Sequence, residues 1–412
     1  MQTNLKSWKD PALLLLSTSI SNIGDFIYLV AINIIVYQIT GSAAAVAGLW
    51  MIGPLTNIVT KFWTGSLIDF RSKRNIMIFT YFIRAVFIFL IPFSSNIAVI
   101  YGILVVLSVA KSFFAPSSIT YETMLVPPKM RKRYNSIRSF ASSSAFIIGP
   151  AIGGTLILLT SVQATLWINA IFFVLSALVL FLLPEKENID KRAVPPLTIA
   201  QVVQDFTIVQ KFVQNNKYVS FIYLGFIMIM ILTFAIDVQE VVFVQQVVGL
   251  SEIDYSFLIS ISGIGSVVGA SLLSIFANKI SLRYMITIGL TMMTLGYVIY
   301  AFSWSFLSVT VGFIILGFFN VFLNAGMNTF YQNNIPIEIM GRVTSIYQLI
   351  QSVVQIIFIL IVGVTADVFS LRITIIVLTF VMLISSIIYS FTVLKGNKMI
   401  YYKEEKSTEI QG

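Results

Sequence analysis

Apolar residues run almost unbroken for twenty or more positions at a time, and short polar clusters separate the runs. A helix rising 1.5 Å per residue needs about 20 residues to cross a ~30 Å hydrocarbon core. Twelve such runs are predicted: 12–38, 43–66, 75–93, 98–124, 137–160 and 164–184, then 218–247, 254–277, 284–303, 306–333, 343–366 and 371–394. Lipid cannot satisfy open backbone groups, so each run is expected to be a helix. A transmembrane barrel does not fit, because its strands alternate apolar and polar residues over about ten positions.

The polar breaks alternate in charge. Arg71, Lys73 and Arg74 follow the second run, and Lys129, Arg131, Lys132 and Arg133 follow the fourth. A central link carries Lys186, Lys191, Arg192, Lys211 and Lys217. Lys279, Arg283 and Arg342 continue the series, and Lys395, Lys398, Lys403 and Lys406 end it; Arg372 alone breaks the pattern. Basic loops stay in the cytoplasm. Both termini and the central link are therefore expected there, in a multi-pass protein of the cell membrane, expected to be a bacterial plasma membrane. The same reading absorbs the formal charge of +9, so no nucleic-acid partner is expected. The run after Lys6 and Lys9 is a full span without a small-residue cleavage site, and no cleaved signal peptide is expected.

The central link divides the chain into a six-helix half at 1–184, a linker at 185–217, a second six-helix half at 218–394 and a tail at 395–412. Within the linker, Pro195 and Pro196 precede Thr198, a residue suited to an N-cap. Ile199, Val202, Val203, Phe206, Val209, Phe212 and Val213 then recur at helical spacing. An amphipathic helix on the inner membrane surface is predicted, serving as a tether between the halves.

Composition narrows the chemistry. The chain is 58% hydrophobic and 10% charged, with mean hydropathy +0.93, whereas soluble domains carry about 25% charged residues. It contains neither cysteine nor histidine. Disulfides, thiolates, imidazole metal sites and imidazole proton relays are thereby excluded. No metal and no cofactor is expected, and a proton carrier would have to be a carboxylate. No nucleotide-binding glycine loop or nucleophile–base pair is visible, which argues against an enzyme or an ATP-driven pump.

The two halves match at an offset of 209 residues. Val126 to Ser136 aligns with Ile335 to Ser345, so that Pro127 meets Pro336 and Arg133 meets Arg342. At the same offset Asp69 meets Asn278, Arg74 meets Arg283 and Gly154 meets Gly363. Two parallel repeats of this kind suit a transporter that rocks about a site near the bilayer midplane.

Three stretches carry a family resemblance. The first runs from Gly65 through Asp69 and Arg71 to Lys73 and Arg74, with Phe70 and Ser72 departing from the usual arginine and glycine. It resembles the loop signature between the second and third helices of the major facilitator superfamily. The second is Gly149, Pro150, Gly153 and Gly154, preceded by Ala145 in place of a usual glycine; it is similar to the antiporter signature of drug exporters. The third comprises Phe113 to Pro116, Val126-Pro127 and Ile335-Pro336 to Val343. These resemble the macrolide-efflux and siderophore-exporter branch of proton-coupled drug antiporters. The resemblance implies an all-α membrane protein of twelve transmembrane helices in two six-helix repeats. It also implies that the first, fourth, seventh and tenth spans line a cavity. Physically, Gly65 permits close helix approach, and Asp69 among Arg71, Lys73 and Arg74 forms a charge cluster able to latch one conformation. Pro150 removes a backbone donor, and its neighbouring glycines allow tight packing or a bend.

Ionisable groups in hydrocarbon cost at least ~2.5 kcal/mol at mid-helix, so each is a candidate for function. Asp25 lies halfway along the first span, sharing a helical face with Asn22 and Tyr28. Lys111 lies at similar depth in the fourth span, and an Asp25–Lys111 pair is expected. Asp237 and Glu240 share a face in the seventh span, where they would hold a proton, attract a cationic substrate or sit at an aqueous mouth. Arg84, in the third span, is expected to satisfy carbonyls or another helix. Asn320, Asn324 and Asn328 form a polar stripe in the tenth span, suited to a cavity wall or to interhelical hydrogen bonds. The leading expectation is a monomeric exporter of a small amphipathic compound — a drug, antibiotic or siderophore-like molecule — in exchange for protons. A uniporter or importer on the same fold is the alternative; a non-transporting sensor would need a longer tail than the stretch after Lys395.

Overall fold

The computed structural model describes residues 2–40, 43–187 and 199–403. No strand occurs among the described residues. The first six long helices are α1 (Gln2–Thr40), α2 (Ala43–Asp69), α3 (Lys73–Leu90), α4 (Ile97–Leu125), α5 (Pro128–Leu159) and α6 (Val162–Phe181). After α7 (Ile199–Asn215) come α8 (Lys217–Asp237), the single turn α9 (Glu240–Val242), a π-turn at Phe243–Val247, and α10 (Glu252–Phe276). The chain closes with α11 (Leu282–Ala301), α12 (Phe306–Asn334), α13 (Ile337–Phe369) and α14 (Leu371–Leu394). Among the described residues, ten helices have the length and apolarity to cross a membrane. The helices α2 and α13, of 27 and 33 residues, are also of spanning length.

Small polar side chains at matching positions start equivalent helices in both repeats. Ser72 caps α3 by accepting the Asn75 N–H, and Ser281 caps α11 by accepting that of Tyr284. Asn96 caps α4, and Ser305 accepts the Ser308 N–H at the start of α12. Ser161 and Ser370 cap α6 and α14. All three pairs stand at the 209-residue offset. Each cap satisfies an amide that the first helical turn leaves open.

The chain packs into two compact units. The first comprises Met1–Pro127, Ser144–Phe212 and Ile335–Ser352; the second comprises Pro128–Ser143, Val213–Asn334 and Val353–Gly412. Each unit thus takes the opening segment of a long helix from the other repeat. Pro128 and Ser143 correspond to Ile337 and Ser352 at the repeat offset. The predicted split at 185–217 is therefore a division of sequence, whereas packing exchanges these two segments. The linker helix forms as α7 and begins at Ile199; Pro195, Pro196 and Thr198 lie outside the described residues. Its Val209 and Phe212 are buried, and Val203 is exposed.

Close backbone contact dominates parts of the second unit. A Cβ at Gly269 would lie 2.5 Å from the Phe318 carbonyl oxygen, and one at Gly289 would lie 2.6 Å from the Leu323 nitrogen. Such crossings replace large side chains by direct van der Waals contact, which helices in lipid rely on.

Candidate functional site

Asp25 sits where three helices of the first unit meet. Its carboxylate receives Arg84 from α3 and Lys111 from α4, with the Lys111 Nζ 3.7 Å from Oδ2. The Asp25–Lys111 pair expected from helix depth is thus present, but Arg84 is the nearer partner. Arg84 is buried, and its guanidinium lies 4.0 Å from the centre of the Phe173 ring. Of the two roles expected of Arg84, contact with another helix is the one it takes: it pairs with Asp25 of α1 rather than with carbonyls, since a carboxylate left unpaired inside the bundle would be costly. Lys111 behaves differently, with 65% of its side chain exposed. Tyr28 lies close enough to feel both Arg84 and Asp25, and Asn22 is half-buried on the same face. Below the cluster, the Ser21 and Tyr81 hydroxyls meet at 2.7 Å.

The predicted latch forms with other partners. Asp69 is buried and accepts the backbone N–H of Gly341 at 2.9 Å and of Arg342 at 3.3 Å. The Arg342 Nε lies 3.4 Å from Asp69 and 3.1 Å from Asp205 of α7, and its guanidinium covers the Phe70 ring. Lys73 donates to the Asp69 carbonyl and pairs with Glu187 at 3.1 Å. Arg74 is spent on the last carbonyls of α6, donating to Leu180 and Phe181. Its repeat mate Arg283 likewise donates to the Val393 carbonyl near the end of α14. Arg71 is exposed, and Gly65 lies within α2. The local cluster expected around Asp69 is therefore a contact across the repeats, because Arg74 finds a helix end closer than a carboxylate. Burial pushes the Asp69 carboxyl up to about 7, against the pull of Arg342, Lys73 and the two amides.

Buried ionisable residues that the sequence pattern did not single out include Lys61, Glu122 and Asp205. Lys61 of α2 is 4% exposed, and its Nζ donates to the Ser112 carbonyl of α4 at 2.7 Å. Its location in the second apolar run was the available signal.

In the second unit, Asp237 accepts the Tyr297 hydroxyl at 2.8 Å, and Glu240 is bonded to Tyr255. The described partners of these two carboxylates are hydroxyls, with no cation among them. Arg372, the exception to the charge pattern, donates to the Val247 and Ser303 carbonyls and lies over the Phe243 ring. Its hydrogen bonds are thus made to carbonyls near it. Asn320, Asn324 and Asn328 are half-buried, and Asn324 donates back along α12 to Asn320.

The glycines of α5 divide by role. A Cβ at Gly149 would lie 2.5 Å from that of Phe26, and one at Gly153 would lie 3.3 Å from the Ile27 Cα. Both hold α5 against α1 at Phe26 and Ile27, immediately after Asp25, whereas Gly154 faces open space. The helix continues through Pro150. A groove lined by Arg71, Asn75, Phe79, Phe113 and Glu185 contains none of the predicted cavity residues.

Long apolar helices in two sequence repeats, with ion pairs buried among them, define a multi-pass membrane protein. The model of the Major Facilitator Superfamily matches residues 14–359, and the chain belongs to that family. It is 27% identical over 263 residues to an uncharacterised MFS-type transporter, YfiS, of Bacillus subtilis, covering 63% of this chain and 62% of that one. It is 29% identical over 192 residues to the multidrug efflux pump Tap of Mycolicibacterium fortuitum, covering 44% and 46%. The chain thus aligns with less than two thirds of either relative. Among solved structures, the human organic anion transporter MFSD10 matches with TM-score 0.74 at 12% identity, covering 94% of this chain and 99% of that one. An outward-facing bacterial homologue of the iron transporter ferroportin matches with TM-score 0.70 at 15% identity, with the same coverage. These likenesses establish the major facilitator fold.

Proposed function

We propose that the chain is a secondary active exporter, moving a small amphipathic organic compound outward in exchange for protons by alternating access. The observation that carries this reading is the unequal clamp on Asp25. Arg84 is buried and stacked on Phe173, whereas Lys111 is largely exposed and 3.7 Å away. A proton taken up by the Asp25 carboxylate removes the charge holding Lys111, while Arg84 keeps its aromatic face. Lys111 then reorganises, and the balance between two conformations shifts. Inward movement of each proton supplies ~2.3 kcal/mol per 100 mV.

The likeness to Tap, a multidrug efflux pump, supports an amphipathic organic cargo. Asn22, Tyr28, Asn320, Asn324 and Asn328 are assigned to the cavity wall. Asp237 and Glu240 are assigned to a cationic group of the substrate or to a second proton. Residence in the cell membrane with both termini in the cytoplasm, two six-helix halves and action as a monomer belong to the same reading.

Reconstitution in proteoliposomes tests it. Asp25→Asn should fold normally and lose transport driven by a pH gradient. Normal gradient-driven flux in that variant would overturn the assignment. A second reading, uniport, is favoured by the engagement of both Asp25 oxygens by cations; it predicts that substrate flux in the unsubstituted protein ignores a collapsed proton gradient.

A further inference from the structure

The helix α4 runs unbroken from Ile97 to Leu125 although it contains Pro116. A proline has no N–H, so the carbonyl four residues earlier loses its helical donor, and the ring crowds that carbonyl. Here that carbonyl belongs to Ser112. It is the same oxygen that the buried Lys61 ammonium reaches at 2.7 Å. No carboxylate pairs with Lys61 among the described residues.

The two ends of this contact lead to the two devices already described. On α4, Lys111 directly precedes Ser112 and reaches Asp25. On α2, Thr64 is one turn beyond Lys61 and donates to the Ser345 hydroxyl of α13 at 3.0 Å. Asp69, two turns beyond, holds Gly341 and Arg342 at the start of the same helix. Asp25, Lys111, Ser112, Lys61, Thr64, Asp69, Ser345 and Arg342 all lie in the first compact unit.

We propose that Lys61 is a positioning residue of the transport cycle, tying the proline joint of α4 to α2 so that movement of Lys111 reaches the Asp69–Arg342 latch. A long side chain suits this task, since it bridges two helix backbones at a point where one has a free acceptor. A charged donor suits it because it resists replacement by a weaker partner inside the bundle. The inference rests on the proposed role of Asp25. A structural cap alone would hold α4 together but would transmit nothing, and coupling between sites has to be measured rather than read from proximity.

The experiment uses the full-length chain in proteoliposomes. Because the chain has no cysteine, Ile68→Cys supplies a single reporter; Ile68 is fully buried and lies beside Gly341. Labelling of this reporter is compared with and without Asp25→Asn. In the otherwise unsubstituted chain, Asp25→Asn should change the labelling rate several-fold. The same comparison is made in Lys61→Arg and in Lys61→Met combined with Pro116→Ala, which restores the missing N–H donor. Lys61→Arg should keep the response. The combined variant should recover the thermal stability lost by Lys61→Met alone but lose most of the response. An undiminished response in the combined variant would overturn the role of Lys61 and leave that of Asp25 standing. Equal destabilisation by Lys61→Met with and without Pro116→Ala would also overturn it. No response to Asp25→Asn in the otherwise unsubstituted chain would overturn the Asp25 reading and this relay together.

Discussion

The backbone N–H of Gly341 donates to the Asp69 carboxylate at 2.9 Å, joining the end of α2 to the beginning of α13. The two residues are 272 positions apart in the chain and belong to opposite sequence repeats. A Cβ built on Gly341 would collide with the carboxylate and approach the Ile68 side chain at 3.1 Å.

Gly341→Ala is therefore expected to open the latch. Overpacking of this kind costs about 2 kcal/mol, on the order of 30-fold in a two-state balance. Labelling of an Ile68→Cys reporter should accelerate accordingly. An unchanged rate would show that Asp69 and Gly341 do not meet in the membrane.

The latch is also expected to respond to pH. Burial pushes Asp69 from 3.8 up to about 7 in the latched form, while an opened Asp69 in water returns to its ordinary range. A raised value means that the latched form binds the proton more readily. Latching should thus strengthen as pH falls below about 7, saturate below the ordinary carboxylate value and show no further dependence on Asp69 above about 7, where both forms are ionised. Labelling of Ile68→Cys between pH 5 and 8, normalised to the same cysteine in unfolded protein, measures this. Asp69→Asn should flatten the profile, and a profile that persists in that variant would assign the titration elsewhere.

Arg84 and Lys111 should separate in their effects. Arg84→Ala removes a buried partner of Asp25 together with its stacking on Phe173, and a loss of about 3–5 kcal/mol is expected. Lys111→Met removes an exposed partner and should change thermal stability by less than about 1 kcal/mol, while reducing pH-gradient-driven flux at least tenfold. Thermal unfolding in detergent, paired with flux in proteoliposomes, separates the two. Equal destabilisation by both substitutions would contradict the unequal clamp.

The two repeats make a matched prediction at their helix ends. Arg74 donates to the last turn of α6, and Arg283 to the Val393 carbonyl of α14. Replacing either by methionine should cost about 1.5–3 kcal/mol, the range for hydrogen bonds from a charged donor. Comparable losses are expected at both sites by differential scanning fluorimetry. A large loss at only one would mean that the repeat equivalence ends at the loop.

Asp25 and Lys111 were legible as a pair because residue count along a helix gives depth directly, and two opposite charges at one depth attract. Arg84 was legible as a buried cation but not as the nearer partner, since the neighbour of a helix face depends on how helices rotate when packed. The repeat offset singled out Arg342 beside Arg133 without revealing that Arg342 serves Asp69. Lys61 carried two signals, a charge in an apolar run and, on another helix, a proline four residues after Ser112. Only packing brings the two together.

The sequence by itself determined the all-helical membrane fold class and the twofold sequence repeat, because hydrocarbon imposes length and apolarity on each span independently of its neighbours; the predicted run 218–247 is divided after Asp237. The sequence also determined which residues carry charge into the bundle. The tertiary structure alone decided their partners: Asp69 with Gly341, Arg342 and, through Arg342, Asp205; Asp25 with Arg84 as well as Lys111; Lys61 with the Ser112 carbonyl. These contacts span up to 273 residues and follow from side-chain fit between helix faces, which no local periodicity encodes.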